Sequence, residues 1–270
     1  MEEALAAGES VDVRDASKTP LLIACEKGNM EVVESLLLHG ADPNSVDSYH
    51  RSPLKMACEK GHIDVVKRLL RDARTDINDT QSGLTSFMWA CQQGYVDIVD
   101  VMIERGVDIA LSSPNGKDAL MRACAKGNFD VVERLLRHGA TVNAIDKNGS
   151  TALIDACIGA SLSVVDLLII YGADVNHRTN AGITPLMMAC NCVSLDIAKR
   201  LIDVNADVDA INSQRRTALM ISCSKNNADL VRLLLDAGAD PSIVDSRGKR
   251  AIDLTIREDI KKILSGASPS

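Results

Sequence analysis

Residues 19–42 read TPLLIACEKGNMEVVESLLLHGAD, and this stretch contains the signals for two short helices and the turns that end them. Thr19 is a good N-cap, and Pro20 suits the first helical position because its missing N–H would have no partner there. Gly28 allows the positive φ that ends the first helix. The second helix carries apolar residues at helical spacing until Gly40 stops it. The stretch therefore predicts a helix–turn–helix unit.

The same unit recurs every 33 residues along the chain. Seven of the eight cysteines follow this spacing and only Cys192 is out of phase; the phased ones are Cys25, Cys58, Cys91, Cys124, Cys157, Cys190 and Cys223. Neither helix of a unit can bury its apolar face alone, so stacked neighbours must cover it. The sequence predicts a stack of helical pairs in which every phased cysteine occupies the same structural position.

These units resemble ankyrin repeats, whose Thr-Pro-Leu-His-x-Ala signature has the same 33-residue period. The resemblance implies an all-α ankyrin-repeat solenoid of about seven full repeats with truncated terminal capping units. Its repeats start near residues 16, 49, 82, 115, 148, 181 and 214. We expect a single domain over residues 1–264, with a short helix from Ala4 to Ala7, a C-terminal cap over residues 247–264 and a disordered tail over residues 265–270.

The chain departs from the family pattern at two positions. The histidine of the signature is replaced in every repeat, by Leu22, Lys55, Met88, Met121, Ile154, Met187 and Met220. We therefore expect apolar contacts instead of a polar network between repeats. The glycine between the two helices is also missing from repeats five to seven, where Ala160, Val193 and Asn226 stand. Gly159 and Asn226 can still supply a positive φ, whereas no residue near Val193 is suited to it, so that turn is predicted to have the weakest geometry.

Composition and charge exclude several classes of function. The net charge is −7, and no lysine or arginine cluster is free of interleaved acids, which argues against nucleic acid as a partner. The acidic N-terminus lacks the order of a signal peptide, and the longest apolar run, residues 167–171, is far shorter than the roughly 20 residues that span a bilayer. We expect an intracellular monomer, cytoplasmic or nuclear or both, with no membrane insertion.

The cysteines and histidines do not form a recognisable catalytic or metal-binding pattern. Packed helices lie about 8–10 Å apart, whereas a disulfide needs Cα atoms within about 7 Å, so buried reduced thiols are the expected state of the phased cysteines. Ligation or disulfide pairing is the alternative. No histidine has a partner placed by a motif, and no glycine-rich phosphate loop is present. We expect no enzyme activity, cofactor or metal. The resemblance implies possible hydroxylation of Asn143 and Asn176.

A partner is expected on the concave face, which the resemblance assigns to the inner helices and the projecting turns. Trp89 stands in the middle of the array, and Trp and Arg are the residue types most enriched in interface hot spots. Alternatively, Trp89 fills space between inner helices and does not contact a partner. The predicted partner-binding residues are Met56, Trp89, Gln92, Gln93, Arg122, Lys126, Asp155, Tyr49, Arg51 and Lys117.

The sequence favours a non-catalytic protein-interaction module that acts as a scaffold, adaptor or inhibitor. The sequence contains no recognisable catalytic motif, but the inner face of the predicted array is long and carries varied residues of mixed charge. The alternative is a structural spacer array within a larger multidomain ankyrin protein. An interaction module of this kind would bind a partner protein, which the sequence does not identify.

Overall fold

The computed structural model describes residues 11–12 and 18–266, and over these residues it contains fifteen α-helices, one 3₁₀ helix and no strand. The all-α fold class is thereby confirmed. The helix predicted from Ala4 to Ala7 lies outside the described residues. None of the described helices combines the length and the apolarity that crossing a bilayer requires.

The chain forms two compact units, Met1–Ala123 and Cys124–Ser270. The helices of the first unit are α1 (Pro20–Lys27), α2 (Met30–Leu38), α3 (Pro53–Lys60), α4 (Ile63–Leu69), α5 (Ser86–Gln93) and α6 (Val96–Glu104). Helix α7 (Ala119–Lys126) contains the boundary. The second unit continues with α8 (Phe129–Arg137), α9 (Ala152–Ile158), α10 (Leu162–Ile170), α11 (Pro185–Asn191), α12 (Leu195–Asp203), α13 (Ala218–Ser224), α14 (Ala228–Asp236), a 3₁₀ helix (Ala251–Leu254) and α15 (Glu258–Gly266).

Within each unit the helices pack in two layers. The inner helices α1, α3 and α5 contact one another in order, as do the outer helices α2, α4 and α6. The second unit repeats this arrangement, with α9, α11 and α13 inside and α8, α10, α12 and α14 outside. Each inner helix also packs against the outer helix that follows it, as α1 packs against α2. Each repeat is therefore covered by its neighbours, as stacked repeats require.

The predicted caps and core positions are confirmed. The hydroxyl of Thr19 accepts a hydrogen bond from the Leu22 amide at 3.3 Å, and Thr184 does the same for Met187 at 3.2 Å. Each cap satisfies an amide that the first helical turn leaves without a partner. All seven phased cysteines are buried, whereas Cys192 is partly exposed. The 33-residue period therefore places each phased thiol in the core.

The turns between inner and outer helices need a left-handed residue in every repeat. Gly127 provides it in repeat four with φ 70°, and Ala160, Val193 and Asn226 provide it in the next three with φ of 51°, 59° and 54°. The prediction that Asn226 supplies a positive φ is confirmed. The same prediction is wrong for Gly159, which has φ −68°. Gly159 serves a different purpose, because a Cβ atom there would lie 2.6 Å from the carbonyl oxygen of Cys124.

Replacing Val193 with glycine is expected to stabilise the protein by about 1 kcal/mol. A left-handed backbone costs a residue with a side chain roughly 1–2 kcal/mol, and glycine removes that cost while adding some freedom to the unfolded chain. Val193 is a β-branched residue in this conformation and its side chain is exposed, so little burial is lost. Urea unfolding followed by circular dichroism measures the change.

The matched control for that substitution is Val244→Gly. Val244 is also an exposed valine outside the helices, but it is not among the residues with a positive φ. Glycine there adds freedom to the unfolded chain without relieving strain, so a loss of about 0.5–1 kcal/mol is expected. Equal effects of the two substitutions would contradict the strain at Val193.

The C-terminal cap extends beyond its predicted end. Helix α15 runs to Gly266, and the Ser265 hydroxyl donates to the carbonyl oxygen of Lys261 at 2.8 Å. The predicted disordered tail is therefore wrong for residues 265 and 266, because the last turn of the helix includes them. Residues 267–270 lie outside the described part of the chain.

Candidate functional site

The predicted partner-binding residues differ widely in exposure. Tyr49 is 73% exposed, and Gln93 and Lys126 are exposed as well. A second group is partly exposed: Trp89, Gln92, Arg122, Arg51 and Lys117. Met56 and Asp155 are completely buried, so the prediction is wrong for these two. Helical spacing indicates which side of a helix a residue occupies, but it does not reveal whether neighbouring side chains cover it.

Several polar and charged residues of the first unit are linked to Trp89 or to one another by the contacts described below. We call Arg51, Lys55, Glu59, Trp89, Gln92 and Arg122 the Trp89 cluster. Lys55 of α3 joins this cluster to α5, because its ammonium group lies 5.2 Å from the centre of the Trp89 ring. This is within the range of a cation–π interaction. The indole therefore lies beside a positive charge.

Lys55 and Glu59 are the two members of the cluster that are absent from the predicted partner-binding residues, and Lys55 is the one in contact with Trp89. It was expected to make apolar contacts, but its ammonium group donates a hydrogen bond to the carbonyl oxygen of Leu84, 2.8 Å away in the next repeat. Its side chain is almost fully buried. Desolvation lowers the pKa of Lys55 to about 8, against an opposing attraction from Glu59. The signal in the sequence was a charged residue at a position where the other six repeats have Leu, Met or Ile.

Arg51 is held at one side of the cluster by carboxylates. Its Nε and Nη2 atoms donate to Oδ2 of Asp47 at 2.9 and 2.7 Å, and its Nη1 atom lies 3.4 Å from Oε2 of Glu59. Its guanidinium also lies 5.2 Å from the centre of the Tyr49 ring. Burial acts to raise the pKa of Asp47, but hydrogen bonds from Arg51 and from backbone amides outweigh it and lower the pKa. Arg51 is thus fixed in place by a charged partner.

Arg122, at the other side of the cluster, donates hydrogen bonds to a glutamine and a serine. Its Nη1 atom donates to Oε1 of Gln92 at 3.1 Å, and its Nη2 atom donates to the hydroxyl of Ser113 at 2.8 Å. Burial raises the pKa of the neighbouring Asp118, while hydrogen bonds from backbone amides and the charge of Arg122 oppose the rise. These contacts connect α5, α7 and the turn between α6 and α7, so the guanidinium has a defined position.

The indole N–H of Trp89 is buried and has no hydrogen-bond partner. A buried donor without an acceptor costs roughly 1–3 kcal/mol. Because the rest of the side chain is partly exposed, an acceptor from another molecule that displaces a covering group could satisfy it. The ring also offers the apolar contact area expected of an interface residue.

Asn143 and Asn176 lie in the turns of the second unit and connect successive repeats. Oδ1 of Asn143 accepts from the amide of Asp174 at 2.9 Å, and its Nδ2 donates to the carbonyl oxygen of Gly172 at 3.0 Å. Oδ1 of Asn176 accepts from the amide of Asp207 at 2.8 Å. Both side-chain amides are therefore engaged, and a hydroxylating enzyme would have to break these bonds. Hydroxylation stays a prediction.

The thiols do not form a reactive or metal-binding centre in the part of the chain that the structure describes. No cluster of three or more histidine, cysteine or acidic residues that could hold a metal ion occurs there. Burial raises the pKa of Cys25, Cys58 and Cys223 to about 12, so these thiols stay protonated at neutral pH. A protonated thiol is a poor nucleophile and a poor ligand.

A comparison with protein families agrees with the repeat pattern. The family model described as ankyrin repeats matches the chain in three copies, over residues 2–81, 87–179 and 159–245. A search of curated proteins finds no matching relative. The matched segments include every residue of the Trp89 cluster, and the interruption at residues 82–86 takes in only Ser86, the first residue of α5.

Proposed function

Because the chain belongs to the ankyrin-repeat family, whose repeats are generally protein-interaction modules, we propose that its first unit binds a partner protein through the Trp89 cluster. The observation that carries this proposal is the partly exposed Trp89, whose buried N–H has no acceptor and whose ring lies beside Lys55. Tryptophan and arginine are enriched among the few residues that carry most of the binding energy at protein interfaces. The role is that of a scaffold, adaptor or inhibitor without catalysis.

The chemistry of the cluster favours a partner that presents hydrogen-bond acceptors next to an apolar side chain. Arg122 and the Trp89 N–H are donors, the buried Lys55 places a positive charge beside the ring, and Arg122 is already positioned by Gln92 and Ser113. A donor that is fixed before binding loses little conformational freedom on binding. Tyr49 and Arg51 extend the surface with a second exposed aromatic ring and a second guanidinium group.

The test is capture of partners from a native lysate by the wild-type chain and by a Trp89→Ala/Arg122→Glu variant. The matched control is Leu38→Ala/Arg71→Glu, which removes an exposed apolar side chain and reverses an exposed arginine on the outer layer of the same unit. Circular dichroism confirms that all three proteins are folded. We expect at least one partner whose binding is at least tenfold weaker with the first variant and unchanged with the control.

Equal capture by the wild type and the Trp89→Ala/Arg122→Glu variant would overturn the proposal. Any binding would then use the turn tips or the outer helices, and Trp89 would be a residue that packs between inner helices. Loss of binding with the control variant as well would point to a general effect of charge reversal rather than to the cluster.

A further inference from the structure

Two adjacent turns near the end of the second unit carry a group of cations. These turns, residues 212–217 and 245–250, precede α13 and the 3₁₀ helix. The amide of Ser246 donates to the carbonyl oxygen of Gln214 at 2.9 Å, which joins the two turns side by side. Four of the cations are exposed and Arg216 is partly exposed. We call the five residues the basic tips: Arg215, Arg216, Arg247, Lys249 and Arg250.

The acid that interrupts these cations in the sequence is turned inward. Asp245 is buried, and its Oδ1 atom accepts from the backbone amides of Arg247 and Lys249 at 2.8 and 3.0 Å. Its Oδ2 atom lies 3.5 Å from Nε of Arg216. The carboxylate therefore shapes the turn and holds one guanidinium from the neighbouring turn, while the side chains of Arg247 and Lys249 point away from it to the exposed surface.

Three of the five cations have no acid of their own. Asp253 of the 3₁₀ helix accepts from the amide of Arg250 at 2.9 Å, and the Nε atom of Arg250 lies 3.9 Å from its Oδ2 atom. Arg215, Arg247 and Lys249 have no ion-pair partner among the residues that the structure describes. The basic tips therefore keep an excess of positive charge on a chain whose net charge is −7.

The elements beside the basic tips add apolar surface on the inner side. The inner helices α11 and α13 contain no charged residue, and they leave Met188 and Ile221 partly exposed. The next acids in the same loops, Asp209 and Asp240, follow the outer helices α12 and α14, and Oδ1 of Asp209 accepts from the amide of Asp240 at 2.9 Å. The two acids of α15 pair with cations next to them in the chain.

The equivalent turns of repeats two to six do not have this arrangement. Arg51 is the cation of the second turn, and Asp47 and Glu59 hold it. Lys117 and Lys147 are the single cations of the fourth and fifth turns, and the turns at residues 80–85 and 179–184 contain no lysine or arginine. The positive charge is thus a property of the last two turns and not of the repeat.

Arg215 occupies a backbone position that favours glycine. Its φ is 57°, and a left-handed backbone costs a residue with a side chain more than it costs glycine. A strained residue with an exposed charged side chain is a candidate for function. Glycine stands at the same position of the other turns as Gly83, Gly116, Gly149, Gly182 and Gly248.

We propose that the basic tips bind an acidic segment of a partner protein. Arginine binds carboxylates through two parallel hydrogen bonds, and four of the five cations are arginines. Apolar side chains of the same segment contact Met188 and Ile221. The net charge of −7 repels a long polyanion such as nucleic acid, whereas a short segment senses mainly the charges within a screening length of about 8 Å.

This surface lies in the second unit and does not rest on the proposed function of the Trp89 cluster. The Trp89→Ala/Arg122→Glu variant should bind an acidic peptide as the wild type does. Failure of either proposal therefore leaves the other unaffected.

The test is fluorescence anisotropy of a labelled peptide of alternating glutamate and serine, about eight residues long, which extends to about 26 Å. At low salt the full-length wild type should bind it with a dissociation constant below about 1 mM, and added salt should weaken binding. The Arg215→Glu/Lys249→Glu variant should bind at least about tenfold more weakly. A peptide of the same length with glutamine in place of glutamate should not bind.

The Arg215→Gly variant separates binding from folding. Glycine relieves the left-handed backbone, so the midpoint of urea unfolding should rise, while loss of the guanidinium should weaken peptide binding severalfold. A merely structural role for Arg215 predicts that the affinity for the peptide stays the same. That result would remove Arg215 from the site.

The matched control is Lys67→Glu/Arg71→Glu, which changes the net charge equally by reversing an exposed lysine and an exposed arginine of the first unit. It should retain the wild-type affinity within about twofold. Equal weakening by the control, equal binding of the glutamine peptide or no binding by the wild type at about 1 mM would overturn the proposal. So would tighter binding to phosphatidylserine vesicles or duplex DNA that is lost in Arg215→Glu/Lys249→Glu, since the surface would then serve a lipid or a nucleic acid.

Discussion

Raising the pH from about 9.5 to about 10.5 is expected to unfold the protein. Burial raises the pKa of six thiols above its ordinary value of 9.0, namely those of Cys25, Cys58, Cys91, Cys157, Cys190 and Cys223. The smallest of these increases takes the pKa of Cys190 to about 11. In the folded protein each of these thiols therefore stays mostly protonated throughout this pH range, and Cys190 begins to ionise only at its upper end.

The direction of the effect follows from the protons that each state binds. Above pH 9 the unfolded chain releases thiol protons that the folded chain retains, so the free energy of unfolding falls as the pH rises. Each thiol contributes about 1.4 kcal/mol per pH unit, and six contribute about 8 kcal/mol per pH unit. Lys55, whose pKa is lowered, acts in the opposite direction and offsets about 1 kcal/mol of this loss. A typical domain has a total stability of about 5–15 kcal/mol, so one pH unit is enough to remove most of it.

Urea unfolding at a series of pH values, with a phosphine reductant to prevent oxidation, measures this slope. The variant Cys223→Ala should reduce the slope by about 1.4 kcal/mol per pH unit, because one titrating group has been removed. Cys192→Ala is the matched control, because its side chain is partly exposed and not buried in the core, and this substitution should leave the slope unchanged. A slope that is the same in wild type and Cys223→Ala would show that buried thiols do not cause the alkaline unfolding.

Much of the fold follows from local signals that repeat. Thr-Pro at the start of an inner helix, a phased cysteine in its middle and a glycine at its end each act within a few residues, so the sequence alone locates them. Repetition strengthens every one of these signals. The errors fall where the repeat pattern breaks: Gly159 was expected to take the left-handed conformation that Ala160 takes, because a glycine was assumed to serve flexibility rather than close packing.

The candidate site was less predictable because exposure depends on neighbours in other repeats. Met56, Trp89 and Arg122 occupy equivalent positions, yet Met56 is completely buried and the other two are partly exposed. The sequence specifies the face of a helix but not the size and direction of the side chains that cover it. Lys55 was missed for a related reason, since its hydrogen bond to Leu84 joins residues 29 positions apart.

Replacing Lys55 with methionine is expected to stabilise the protein by about 2 kcal/mol at pH 7. Desolvation lowers the pKa of Lys55 from its ordinary value of 10.5 to about 8, which corresponds to a cost of about 3 kcal/mol for the charged form in the folded protein. Loss of the hydrogen bonds to the carbonyl oxygens of Leu84 and Thr85 offsets about 1 kcal/mol of the gain. Methionine fits the position, as the buried Met88 and Met121 show in the next two repeats.

The pH dependence distinguishes this explanation from a simple improvement in packing. Between pH 8 and pH 10.5 the folded wild type binds fewer protons at Lys55 than the unfolded chain does, so the wild type gains stability relative to the Lys55→Met variant as the pH rises. The difference between the two proteins should shrink by about 2 kcal/mol from pH 7 to pH 9.5. The thiols ionise in both proteins, so their contribution cancels in this difference.

The matched control is Lys60→Met, at the exposed end of the same helix, for which no such change is expected. A constant difference between wild type and Lys55→Met across this range would mean that Lys55 is not charged in a desolvated site, and its contact with Trp89 would then be a contact of a neutral amine.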